Sequence, residues 1–260
     1  MALFVAVLFF SCSTVPLTGR KQFLPVGDAQ VNQSAAASYQ QLLSDPKTTV
    51  ISSSADAQRV KRVGNQLAAA ITRYLNQNGY GDQYNFQWEF NLIQSNEVNA
   101  WCMPGGKVAV YSGILPVTKD DAGLATVMGH EIGHAIAKHS AERIGHDYLA
   151  QIGGAAVGVA SSVSQSKLLQ VTNQLYGTGS QLALLHYSRS QETEADRLGL
   201  TFMAMAGYDP HSAVTFWQRM AAQSEGKASQ PELLSTHPTD ATRIRDIQNR
   251  IPEAMKYYKK

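Results

Sequence analysis

Residues 130 to 139 read HEIGHAIAKH, which puts three histidines and one glutamate within ten positions. An α-helix advances about 100° per residue, so positions i and i+4 stack on one face. His130 and His134 form such a pair, and Glu131 lies beside the face they share. This H-E-x-x-H arrangement offers two imidazoles to one zinc ion and sets a general base next to it. The chemistry works only if the segment is helical, and that requirement constrains the fold more than anything else in the chain. His139 lies five residues past His134, about 140° further round a continuous helix. It therefore reads as a surface histidine, solvated or packed, and so does His146.

By average residue usage the motif arises by chance in about one chain in a hundred of this length, so its surroundings must carry the case. Thr118 can cap a helix, with Asp121 three residues on imitating a capping box. Leu124, Val127, Met128 and Ile132 follow at helical spacing. The pattern predicts one helix over 119–142. Gly129 and Gly133 weaken it intrinsically but allow a close approach by a strand or a substrate.

Catalytic zinc usually takes three protein ligands and leaves one position open. In the metzincin pattern a third histidine would stand where this chain has Ser140, and a glycine where it has Ala137, so that class is excluded. The later stretch HYSRSQETEADRLGL, residues 186–200, lies in a helical pattern over 180–206. Glu192 and Asp196 share one face there, whereas Glu194 is about 200° from Glu192. Glu192 is the expected third ligand, and Asp196 is placed to accept a ring N–H from a ligating histidine.

HEIGHAIAKHSAER, YSRSQETEADRLG and STHPTDATRI occur in that order, preceded by NAWCMPGGKVAVYSGIL at 99–115. Together they resemble the zinc metallopeptidases of the HtpX and CAAX-prenyl-protease type, above all the bacterial lipoprotein branch that includes LoiP and the BepA peptidase domain. The resemblance covers roughly residues 20–250. It implies one Zn2+ per chain held by His130, His134 and Glu192, with Glu131 as the base. It also implies that His237 lies near the metal, where it stabilises the tetrahedral intermediate or blocks the open position. Arg243 is assigned as a partner of a nearby carboxylate. The implied reaction is peptide hydrolysis by a zinc-activated water whose proton Glu131 removes.

Lys107 to Tyr111 read as a short strand after a Pro-Gly-Gly turn, and 85–93 alternates Phe86, Trp88, Phe90 and Leu92 inward as a second strand. An edge strand beside the metal helix can accept an extended peptide, with Asn99 and the backbone around Ala100 as the contacts. Cys102 reads as a small packed residue.

The expected architecture is α+β and mostly helical, a zincin-like domain with a small sheet and two metal-bearing helices. Helices are expected at 28–45 and 56–78, the latter with Val60, Val63, Leu67, Ile71 and Leu75 inward and Gly79 ending it. Further helices are expected near 211–223 and 239–250. Residues 152–163 read as a packed helix or a flap, and 164–180 as a polar loop. A net charge of +2 gives no reason to expect nucleic acid as a partner, and two cysteines make no disulfide framework.

Residues 2–10, ALFVAVLFF, are too short to span a bilayer and resemble a signal-peptide core. Ser11-Cys12 then reads as a lipobox end. The expected organisation is a signal at 1–11, a tether and lead-in at 12–40 with Cys12 lipidated, and a peptidase domain at 41–260. The protein is then expected at the cell envelope, anchored by lipid and facing the periplasm, on the outer membrane. Its substrates are expected to be proteins or peptides, misfolded or mislocalised ones above all. The alternative is an envelope chaperone or assembly factor whose protease site His237 holds latent.

Overall fold

A computed structural model describes residues 11–24, 26–151, 164–176, 187–223, 231–239 and 241–258. The elements in chain order are β1 Ser11–Thr14, β2 Lys21–Leu24, α1 Asp28–Ser44, β3 Val50–Ile51, α2 Ala55–Gln77, β4 Glu89–Ile93, β5 Ala100–Met103 and β6 Lys107–Tyr111. There follow α3 Leu115–Thr118, α4 Asp121–Ile136, α5 His139–Gln151, α6 Gln165–Tyr176, α7 Arg189–Met205, α8 His211–Ala222, α9 Glu232–Thr236 and α10 Ala241–Ala254. The fold is α+β and mostly helical, as expected.

Helix α2 shows how the sequence dictates its own burial. Ser54 caps it by accepting from the Ala57 N–H at 3.0 Å. Val60, Val63, Leu67, Ile71 and Leu75 form one stripe and are all fully buried or nearly so. The stripe packs on the main sheet and on α4.

That sheet has the order β3-β4-β6-β5. β4 pairs parallel with β6, and β5 returns antiparallel to β6. The β5–β6 turn runs through Gly105 and Gly106 at φ 83° and 87°, which side chains seldom tolerate. Among the described residues β5 is an edge strand, and α4 packs beside it.

The second expected strand starts later than the alternation suggested. β4 begins at Glu89, because Phe86 and Trp88 turn face to face at 4.5 Å between centroids instead of joining the ladder. Trp88 in turn stacks on Phe90 at 6.1 Å.

The metal helix differs more. Asp120, not Thr118, caps α4 by accepting from the Gly123 N–H at 2.8 Å, while the Thr118 hydroxyl donates to the Leu115 carbonyl. The helix stops at Ile136 instead of reaching 142. Lys138 adopts φ 56° and breaks it, and α5 restarts at His139. The Lys138 side chain pairs with Asp28 and lies over the Tyr84 ring at 4.7 Å. Contacts of this kind hold a non-glycine residue in the left-handed region.

Residues 165–176, expected as polar loop, form α6. Leu168 and Val171 lie one helical turn apart, and both are buried against α1. There the Ser34 hydroxyl donates to that of Thr172 at 2.9 Å. The 152–163 segment lies outside the described residues, as do 177–186. Ser188 caps α7, and its capping box with Gln191 fixes the first turn. The short α9 was not foreseen. α10 runs on to Ala254 and carries Pro252 in its last turn.

The stretch expected as a tether and lead-in falls in β1, β2 and α1, which together run from Ser11 to Ser44. Val15, Val31 and Tyr39 are fully buried. Cys102 is buried within β5. Among the described residues no helix is long and apolar enough to cross a membrane.

Candidate metal centre

Among the described residues, α4 and α7 pack face to face more extensively than any other pair of elements. The contact is close because glycines line it. A Cβ added at Gly133 would lie 2.8 Å from the Ala195 carbonyl oxygen, and one at Gly199 would lie 2.8 Å from the His130 amide nitrogen. Small residues let the two backbones touch, and the side chains that remain converge.

His130, His134, Glu192 and His237 each offer a ligand atom, all four within 4.8 Å of one another, and all four residues are buried. His130 Nε2 lies 3.1 Å from His134 Nε2 and 3.2 Å from His237 Nδ1. Glu192 Oε1 lies 3.4 Å from His134 Nε2 and 2.8 Å from His237 Nδ1. The three residues expected as ligands therefore meet, and His237 comes in beside them from the end of α9.

The group suits zinc. Nitrogens held tetrahedrally at about 2.0–2.1 Å from zinc sit roughly 3.3 Å apart, close to the spacing here. Two imidazoles and a carboxylate form a donor set that zinc favours. Two buried carboxylate oxygens, Glu131 Oε1 and Glu192 Oε2, make no hydrogen bond. Such orphaned anionic oxygens are costly unless a cation compensates them. Arg243 Nη1 supplies part of that charge, 3.1 Å from Glu192 Oε2.

Around this group the carboxylates and the arginine interlock. His130 Nδ1 lies 2.9 Å from Asp196 Oδ1, the partner expected for it. Arg243 grips Asp196 with two donors, Nε to Oδ2 at 2.8 Å and Nη2 to Oδ1 at 2.9 Å. The guanidinium also lies 3.9 Å over the Trp217 ring. Burial alone would lower the His130 imidazole, but hydrogen bonds to Asp196 and Glu192 lift it to about 9. Burial lowers His134 well below the usual histidine range, against the pull of Glu192. Glu192 is held well below the carboxylate range because the surrounding histidines outweigh its burial. Burial pushes the Glu131 carboxyl up, the direction that suits a base working near neutral pH. Its Oε1 lies 3.6 Å from His237 Nε2.

Asn99 and Ala100 are buried at the start of β5. The Asn99 Oδ1 accepts from the Ala100 N–H at 2.8 Å, and its carbonyl accepts from the Tyr111 N–H at 3.0 Å. Cys12 lies in β1, far along the chain from the metal group.

His139 does not fit the surface reading. It is fully buried, with Nδ1 2.9 Å from His134 Nδ1. A continuous helix would have turned it away, but the break at Lys138 brings it back. His146, by contrast, is exposed as expected. The sequence reading also missed Trp217 under His130 and Tyr187, which stacks on the His134 ring at 3.9 Å. Tyr187 stands in the YSRSQETEAD motif, so its place in the sequence was a usable signal.

Residues 54–251 match the model of peptidase family M48. The chain is 34% identical over 241 residues to the mitochondrial metalloendopeptidase OMA1 of Schizosaccharomyces pombe, covering 92% of this chain and 66% of that protein. It is 29% identical over 259 residues to human mitochondrial metalloendopeptidase OMA1, covering 98% of this chain and 48% of the human protein. It is 28% identical over 192 residues to the beta-barrel assembly-enhancing protease of Escherichia coli K12, covering 69% of this chain and 39% of that protein. The chain thus spans just under two thirds of the fission-yeast relative and less than half of the other two.

Proposed function

Because the chain belongs to peptidase family M48 and is a zinc metallopeptidase, we propose that it is an endopeptidase hydrolysing bonds inside protein substrates. One observation carries this reading: His130, His134 and Glu192 bring their ligand atoms together in a buried group with Glu131 beside it.

In this reading His130, His134 and Glu192 hold one zinc. When bound, zinc lowers the pKa of water and polarises a carbonyl oxygen. Glu131 does the proton work, accepting a proton from the attacking water and delivering it to the departing amine. Asp196 fixes the ring of His130 and keeps the proton on Nδ1, leaving Nε2 bare. Arg243 holds Asp196 in place and neutralises it. His237 stands where it can donate to the developing oxyanion or close the site. Strand β5, with Asn99 and Ala100 at its start, is the edge along which an extended peptide would lie.

The finer setting is proposed on narrower ground. The apolar run at 2–10 followed by Ser11-Cys12 supports a lipid-anchored protein of the cell envelope. So does the likeness to an Escherichia coli protease whose name refers to beta-barrel assembly. The substrates would be misfolded or mislocalised envelope proteins. The HtpX-like lipoprotein branch is proposed on the same footing.

A second reading has one observation in its favour. His237 Nδ1 already lies within 2.8 Å of Glu192 Oε1, inside the ligand group itself. An assembly factor with a latent site would keep it there.

The deciding experiment is casein cleavage by the full chain, with zinc measured on the same sample. One zinc per chain, cleavage abolished by a chelator and restored by added zinc, is the expected result. Zinc without cleavage favours the latent reading, and no zinc at all overturns both.

A further inference from the structure

Behind the expected ligand His134 lies a chain of polar groups that the proposed mechanism does not use, buried at His139 and Glu194 and half-buried at Thr18 and Arg20. His134 presents Nε2 to the ligand group, 3.1 Å from His130 Nε2. Its other nitrogen, Nδ1, lies 2.9 Å from Nδ1 of His139. The far nitrogen of His139, Nε2, lies 2.9 Å from Glu194 Oε2. Glu194 also accepts from the Thr18 hydroxyl and from Arg20 Nε at 2.6 Å. Arg20 reaches on to Glu142 Oε1 at 3.0 Å and to the Ala137 carbonyl at 3.1 Å.

Only one arrangement of protons satisfies every contact. A nitrogen that binds a metal must be bare, so His134 carries its proton on Nδ1. Two facing nitrogens 2.9 Å apart need one donor and one acceptor, so His139 Nδ1 is the acceptor. The His139 proton then sits on Nε2, and it points at a carboxylate oxygen that can only accept. The reverse tautomer would set a bare nitrogen against the Glu194 carboxylate. Both rings are fully buried, so water does not substitute for either partner.

We infer that His139 is a positioning residue for the metal site. It accepts the His134 N–H and so fixes the tautomer and ring angle of that ligand, while Glu194 holds His139 from the other side. Thr18 and Arg20 anchor Glu194, which ties the loop between β1 and β2 to a ligand on α4. Lys138 makes this possible, since its left-handed turn brings a histidine at i+5 back to the ligand face.

The inference rests on His134 being a ligand. The test compares the full chain with His139→Leu and His139→Asn by competition of zinc against a chromophoric chelator. The visible spectrum of the cobalt-substituted protein and the thermal midpoint of the metal-free form are measured alongside. Leucine fills the space and accepts nothing, whereas asparagine restores an acceptor near the Nδ1 position. Outer partners of a metal-bound histidine typically alter affinity 10- to 100-fold. His139→Leu is expected to bind zinc roughly 10- to 100-fold more weakly and to shift the cobalt spectrum, with asparagine recovering most of the loss. Unchanged affinity and spectrum in a folded leucine variant overturn the inference, and so does an asparagine variant no better than leucine. Should the leucine variant fail to fold, His139→Gln replaces it. Glutamine sets its amide near the Nε2 position, so asparagine must bind zinc more tightly, and the opposite order overturns the inference. Absence of zinc from the unaltered protein would instead defeat the metal reading itself.

Discussion

Gly133 on α4 and Ala195 on α7 face each other so closely that a Cβ on the glycine would lie 2.8 Å from the Ala195 carbonyl oxygen. That oxygen is backbone and cannot swing aside. The separation of the two helices is therefore set by a missing side chain, and so is the distance from His130 and His134 to Glu192.

Gly133→Ala is expected to push α7 away from α4. Overpacking of this kind costs about 1–3 kcal/mol, to be read from urea unfolding of the metal-free protein. Zinc affinity should fall as well, because Glu192 moves with its helix. An alanine variant as stable as the parent would mean that the helices separate freely and the glycine has no such role.

Glu131→Gln separates binding from chemistry. The side chain is not among the expected ligands, so zinc should remain at one per chain, while casein cleavage should drop by about 10²–10⁴-fold, the usual contribution of a positioned base. Loss of zinc in this variant would move Glu131 into the ligand set.

Arg243→Leu removes the bidentate partner of Asp196 and the cation beside Glu192. Breaking a buried pair from one side leaves uncompensated charge and costs about 3–5 kcal/mol. Denaturant unfolding with metal present should show a fall of that size. Arg243→Lys should recover only part of it, since one ammonium cannot reproduce the fork. A change below about 1 kcal/mol would fall within the range of ordinary surface pairs and remove the arginine from the account.

His237→Ala should leave zinc bound through the other three residues and alter turnover. A faster enzyme identifies His237 as the group that keeps the site shut. A slower one identifies it as a donor to the oxyanion, an interaction typically worth about 3–4 kcal/mol. Turnover within twofold of the parent contradicts both roles.

Much of this site could be read from the chain because its geometry is local. His130 and His134, and likewise Glu192 and Asp196, owe their shared faces to helical periodicity alone. The long helices α1 and α2 declared themselves by the same rule, since one buried stripe suffices to fix each. What escaped depended on partners distant in sequence. HAIAKHSAER consists of residues that suit a continuous helix, so nothing local announces the break at Lys138. That conformation is held by Asp28, 110 residues earlier in the chain, and by Tyr84, and neither lies in the motif. The place of His139 followed from the break and was lost with it. Helix α6 was misread because QSKLLQVTNQLY is polar overall, and its two apolar anchors gain meaning only against α1.

The polar cluster draws on α4, α7, the end of α9 and the start of α10, so its members run from residue 130 to residue 243. No shorter stretch of the chain contains the whole cluster. During synthesis, the nascent polypeptide carries its histidines and glutamates well before they can meet. The proposed peptidase site is therefore assembled only once the chain has been made as far as Arg243.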